Sequence, residues 1–191
     1  GTYTVTFTVT DALGLSDPTP DTRVITVNAE PDGIILSPAG DVTVPLGQSV
    51  DFTGAGTDPD NTLPLTYLWD FSGGAPNQTL QNPGAVVFST PGIYTVTFTV
   101  TDALGLSDTT SDTRIVTVNA PPDATINSPV GPVTIIAGTA LDFAGTGSDP
   151  DTDFPMTFLW DFGGGAPSQA VQNPGDVVFS PPGIYTVTFN E

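Results

Sequence analysis

Nearly every side chain here that could do chemistry is a carboxylate. Of 191 residues, 21 are acidic and 19 of those are Asp, against two basic residues, Arg23 and Arg114; His, Cys and Lys are absent. Two triplets place Asp at alternate positions. One is Asp58-Pro59-Asp60, followed by Asn61; the other is Asp149-Pro150-Asp151, followed by Thr152 and Asp153. Carboxylate and amide oxygens in such a run are hard ligands, and calcium takes about six to eight of them in flexible geometry. The competing reading is that Asp caps loop turns by accepting hydrogen bonds from backbone two residues on. Paired Asp residues also act as acid and base in glycoside hydrolysis, but each pair recurs along the chain, and no insertion is long enough to wall a cleft.

The missing residue types exclude further classes. Without His or Cys there is no zinc site of the usual kind, no Cys nucleophile and no Ser-His-Asp triad; without Lys there is no Schiff base. A net charge of −19 excludes nucleic acid as a partner, since phosphates need clustered Lys and Arg. It equally opposes attraction to anionic membranes. No apolar run reaches membrane-spanning length, so membrane insertion is not expected.

The elements that must position these acids repeat with a period of 91 residues, without insertion or deletion. Gly1-Thr2-Tyr3-Thr4-Val5-Thr6-Phe7 returns as Gly92-Ile93-Tyr94-Thr95-Val96-Thr97-Phe98 and again from Gly183; Trp69-Asp70-Phe71 returns as Trp160-Asp161-Phe162. Each period is read as one folding unit. Within it, Tyr94 to Thr101 alternates apolar residues with Thr, the pattern of a half-buried strand with Tyr, Val and Phe facing the core. Further strands are expected at 34–36, 42–44, 49–53, 65–71, 85–88 and 114–118, separated by clusters of Gly, Pro, Asn and Asp. About seven short strands without a helix predict an all-β, immunoglobulin-like sandwich. Trp69 takes the place of its buried Trp and Tyr94 that of a tyrosine corner; Val50 or Phe52, with Val96, fills the space where antibody domains carry a disulfide. Asp70 and Asp161, next to the core Trp, are expected to bond neighbouring backbone amides.

In such a sandwich the second-to-third and sixth-to-seventh strand loops share the end at which the chain arrives. The first of these loops carries Asp58, Asp60 and Asn61, or Asp149, Asp151 and Asp153. The second carries Asp102, Asp108 and Asp112, whose counterparts one period earlier are Asp11, Asp17 and Asp21. The preceding linker carries Asp32 or Asp123. Up to six carboxylates are thus expected at one end of each unit, and calcium is the cofactor expected among them. The prolines of Ala120-Pro121-Pro122-Asp123 stiffen the join.

Tyr67-Leu68-Trp69-Asp70-Phe71 with Gly73-Gly74, then Pro91-Gly92-Ile93-Tyr94 through Asp102, resembles a polycystic kidney disease (PKD) repeat. The resemblance spans 29–119 and continues through 120–191. It implies an immunoglobulin-like module from the extracellular part of a microbial protein, a spacer or a contact for protein and carbohydrate, in some members with calcium. The family's Trp-Asp-Phe-Gly-Asp-Gly is Trp69-Asp70-Phe71-Ser72-Gly73-Gly74 here, so no role carries over for its second Asp.

The domain reading is therefore 1–28 as the last strands of a preceding repeat, 29–119 as a complete repeat, and 120–191 as a repeat without its last strand. The expected function is that of a structural module in a long extracellular or cell-surface array or filament, a calcium-stiffened rod with units roughly 35–45 Å apart. Its partners would be neighbouring repeats or copies, head to tail. The broken boundaries are read as a window on a longer polypeptide, the alternative being strand donation between copies. An adhesin module for carbohydrate or protein is the competing function, and Phe154 is its candidate exposed aromatic. The sequon Asn77-Gln78-Thr79 reads as chance, since its counterpart begins with Ser168.

Overall fold

A computed structural model describes all residues, 1–191. The chain is all-β and divides into two compact units, Gly1–Thr117 and Val118–Glu191. The first unit opens with a hairpin, β1 (Thr2–Phe7) against β2 (Asp21–Thr26), in the register Thr2 to Thr26 through Phe7 to Asp21. Two sheets follow. One orders β3 (Asp32–Ser37), β5 (Ser49–Thr57) and β7 (Gly84–Val87); the other orders β4 (Val42–Pro45), β9 (Asp112–Asn119), β8 (Gly92–Thr101) and β6 (Thr66–Asp70). In the second unit β10 (Asp123–Ser128), β11 (Ala140–Ser148) and β13 (Gly175–Val178) form one sheet; β12 (Leu159–Asp161) and β14 (Thr188–Asn190) form another.

Alternation decides which face is buried. Along β8, Val96, Phe98 and Val100 are fully buried, while the intervening Thr97, Thr99 and Thr101 stay half-exposed. Their inward row meets Trp69 and Phe52: Trp69 lies 4.4 Å from Phe98 and 5.4 Å from Phe52 between ring centroids. One period later the same core is rebuilt, with Trp160 at 4.4 Å from Phe189 and 5.5 Å from Phe143. Burial of such aromatics dominates the energetics of a small sandwich. The Trp69 indole N–H is satisfied by the carbonyl of Leu80 at 3.1 Å.

Gly54, mid-way along β5, exists for this packing. A Cβ there would stand 2.7 Å from the Phe98 ring and 3.1 Å from Trp69, so only a bare backbone lets the ring lie across the strand. Tyr94 forms the expected corner, its hydroxyl donating to the Thr90 carbonyl at 3.0 Å, and Tyr185 repeats the contact with Pro181 at 2.9 Å. Arg114 secures the bulge of β3 between Ile35 and Ser37 by donating to the Ile35 carbonyl at 3.1 Å and the Pro38 carbonyl at 3.0 Å.

Candidate functional site

The loop between β5 and β6 holds the first Asp-Pro-Asp. Asp58 Oδ1 accepts the amides of Asp60 at 2.9 Å and Thr62 at 3.3 Å, which winds 58–62 into a side-chain-capped turn. Asn61 occupies the left-handed region that this turn requires, at φ 63°, and Asn tolerates it better than most residues. The winding brings Asp60 under the linker, where its Oδ2 accepts the Ala29 amide at 2.7 Å. Thr62 Oγ1 lies 2.5 Å from Asp60 Oδ1 and 3.0 Å from Asn28 Oδ1, and the nearer carboxylate takes its proton. Asn28 Nδ2 donates to Asp102 Oδ2 at 2.5 Å. A continuous polar network thus joins Asp58, Asp60, Thr62, Asn28 and Asp102 and ties the linker to both loops of its own unit.

Asp102 also serves its own loop, while Asp108, Asp112 and Asp32 lie along β3 outside this group. Asp102 Oδ1 caps the β8–β9 loop, accepting the amides of Leu104 at 2.8 Å and Leu106 at 2.9 Å. Asp108, 6% exposed, accepts the Thr110 amide at 2.7 Å and the Gly33 amide of β3 at 3.0 Å. Asp112 accepts the Ile35 amide at 3.0 Å. Asp32 is exposed and pairs with Thr57 through the β3–β5 ladder. The six carboxylates expected at one end therefore do not converge on one point, and no three acidic groups stand close enough together to hold a metal ion. Backbone amides compete for them: a sheet margin presents unpaired N–H groups that cost free energy unless bonded, and the acids supply the acceptors.

The second unit repeats the loop. Asp149 Oδ1 accepts the Asp151 amide at 3.0 Å, and Asp151 Oδ2 accepts the Ala120 amide at 2.7 Å. Thr152 takes the left-handed position, at φ 62°. Asp123 and Asp153 are exposed. Asp70 and Asp161 each accept a backbone amide two residues on, from Ser72 and Gly163, both at 2.9 Å.

Two oxygens stand out. Asp58 Oδ2 and Asp151 Oδ1 are buried and have no hydrogen-bond partner. Each belongs to a pair of facing carboxyl groups, which can bond each other only while one carries a proton. The Thr62 hydroxyl, then the Ala29 amide, hold Asp60 down to about 2. In the second pair the contact itself divides the proton. Asp151 pushes Asp149 up, aided by burial; Asp149 and then the Ala120 amide pull Asp151 down. Burial would raise Asp102, but the bonds from Asn28, Leu106 and Leu104 prevail and hold it down. With both members ionised, each pair is a concentration of negative charge; the N-terminal ammonium of Gly1 lies 3.6 Å from Asp60 Oδ2, and the second pair has no such partner.

Asn28 and Thr62 are members that sequence reasoning missed. Their signal was faint: Val27-Asn28-Ala29 recurs as Val118-Asn119-Ala120, whereas Thr62 has Asp153 as its counterpart.

The chain is similar to the fibronectin(III)-like modules of Clostridium thermocellum CbhA, with 14% identity and a TM-score of 0.36 over 83% of this chain and 84% of that one. It is similar to the insect immune protein hemolin, with 13% identity and a TM-score of 0.39 over 93% of this chain and 49% of that one. It is also similar to the N-terminal four Ig domains of Dscam1 isoform 6.44, with 15% identity and a TM-score of 0.37 over 90% and 47%. The family model of the PKD domain matches residues 34–118 and 119–190, which together make up most of the chain. With two matched segments in tandem, each bearing its own Trp-centred core and its own Asp-Pro-Asp loop, this chain belongs to the PKD domain family.

Proposed function

We propose that the chain is a non-catalytic structural module of an extracellular repeat array, a spacer whose joins are stiffened by calcium at the Asp-Pro-Asp loops. PKD and immunoglobulin-like domains often serve as structural or adhesion modules and are typically extracellular or at the cell surface. No helix here is long and apolar enough to cross a membrane. The reading rests chiefly on one repeated arrangement. In both units the second Asp of the triplet binds the linker amide, at 2.7 Å each time, while a buried carboxylate oxygen of the same loop lacks a partner. A hard cation relieves that charge with ligands of the right type. Two carboxylates per loop, supplemented by amide, carbonyl and water oxygens, suit the weak affinities of extracellular modules, about 10⁻⁴–10⁻³ M. Neighbouring repeats, or copies of the same chain, are its partners.

Thermal unfolding in 10 mM calcium against chelator tests this. Binding to the folded state alone at those affinities raises the midpoint by ~5 °C or more. An unchanged midpoint would sink the calcium reading and leave the spacer reading without its stiffening device.

A second reading, an adhesin module, draws on Phe154, which is 64% exposed in the second acidic loop. Binding to a glycan array that is lost in Phe154→Ala would favour it.

A further inference from the structure

The triplet Asn77-Gln78-Thr79 lies apart from the acidic network, in the segment between β6 and β7. This segment runs along the free margin of β6: the Trp69 amide donates to the Gln78 carbonyl at 2.8 Å, and the Gln78 amide returns to Trp69 at 3.2 Å. Asn77 and Thr79 are both exposed, and Leu80 beside them is 62% exposed. Asn77 Oδ1 accepts the Phe71 amide at 3.4 Å, which leaves Nδ2 without a partner in the protein. The second unit builds the same bridge from Gln169 to Trp160, at 2.8 and 3.1 Å, with Ser168 and Ala170 on either side. The bridge is made by backbone atoms alone and forms with Asn and Thr or with Ser and Ala on either side of the Gln. The two positions that differ between the units are the two that an Asn-x-Thr acceptor requires.

We propose that Asn77 is an N-glycan acceptor, the one such site in this chain, a proposal that rests on the extracellular reading above. The donor class is a polyprenyl-pyrophosphate-linked oligosaccharide. Asn77 Nδ2 forms a bond to the anomeric carbon, the bond from that carbon to the pyrophosphate oxygen breaks, and the amide proton passes to the transferase; polyprenyl pyrophosphate leaves. The sugar then stands over the outer margin of β6.

The test is to secrete residues 1–191 behind a cleavable leader from a eukaryotic host and digest the product with trypsin. Arg23 and Arg114 are its only cleavage sites, so Asn77 lies in the peptide 24–114. That peptide should carry hexose-containing mass that peptide-N-glycosidase removes, converting Asn77 to Asp. Asn77→Gln and Thr79→Ala should each abolish the mass, and Ser168→Asn with Ala170→Thr should add a second glycan to 115–191. An unmodified 24–114 peptide overturns the proposal, as does mass that persists in Asn77→Gln. The leader imposes export, so either failure counts against the site and not against the extracellular role.

Discussion

Asp108→Asn isolates one hydrogen bond that holds the two sheets of the first unit in register. Asp108 Oδ1 accepts from the amide and the hydroxyl of Thr110, at 2.7 and 2.9 Å, and Oδ2 accepts from the Gly33 amide at 3.0 Å. Asn is nearly isosteric but presents one acceptor and one donor. Whichever way it turns, one backbone N–H faces an N–H. Losing a bond to a charged acceptor costs about 1.5–3 kcal/mol, and orphaning a buried donor costs about 1–3; the two overlap, so the expected loss is roughly 2–3 kcal/mol. The repeat supplies the control. Asp17 stands one period earlier with the same local bonds, to the Thr19 amide at 2.8 Å and the Thr19 hydroxyl at 3.1 Å, but it is exposed and has no third contact. Asp17→Asn should cost less than about 0.5 kcal/mol. Urea unfolding at pH 7 in a Trp160→Phe background makes Trp69 the reporter of the first unit. At a slope of about 1–2 kcal/mol per molar, the Asp108→Asn midpoint falls by roughly 1–3 M. Equal shifts for Asp108→Asn and Asp17→Asn, or none for Asp108→Asn, would refute the assignment of this bond as a tie between sheets.

Gly54→Ala should destabilise the first unit by about 1–3 kcal/mol through overpacking against Phe98, whereas Gly40→Ala, with nothing within 4 Å of the added methyl, should be neutral by the same urea assay. Asp149 is held above its ordinary value of 3.8, so it contributes stability that is full below 3.8 and is lost as pH rises through the raised value. Asp149→Asn keeps an acceptor for the Asp151 amide and gains a donor for the Asp151 carboxylate. It should raise the melting point of the second unit by a few degrees at pH 7 in chelator, lose that gain on acidification, and lose any calcium-dependent increment. Asp60, held down to about 2, contributes stability that is full above 3.8 and disappears as pH falls toward 2. Thr62→Val removes the largest cause of that depression, so acid unfolding of the first unit, followed by circular dichroism, should begin at higher pH; an unmoved acid limb would contradict the network.

The alternation in Tyr94–Thr101, the Trp69 position and the Tyr94 corner were legible because each is a side-chain pattern with one physical meaning. β6 and β8 form where alternation placed them, and β3 and β5 extend beyond the residues expected, since ladder pairing also recruits Gly54 and Gly56, which carry no strand signal. The acids were legible as acids, but their partners were not. Asp108 meets the Gly33 amide and Asp112 the Ile35 amide, and a backbone N–H has no letter in the sequence. Such contacts span 75 and 77 residues, so only the finished topology reveals them. Composition therefore located the charge correctly while leaving open whether an ion or the main chain would meet it.

The bonds from Ala29 to Asp60 and from Ala120 to Asp151 both close a loop of 31 residues. In a chain of near-identical periods, the Ala29 linker also has a rival acceptor one period further on, Asp151, about 120 residues away. Loop-closure entropy grows by about 0.6 kcal/mol per doubling, so the rival is disfavoured by roughly 1.2 kcal/mol, close to an eightfold preference for the proper partner before any other contact forms. As the chain is synthesised, the nearer Asp also emerges first. Chain length alone thus favours clasping this linker to the loop of its own repeat over the look-alike loop of the next.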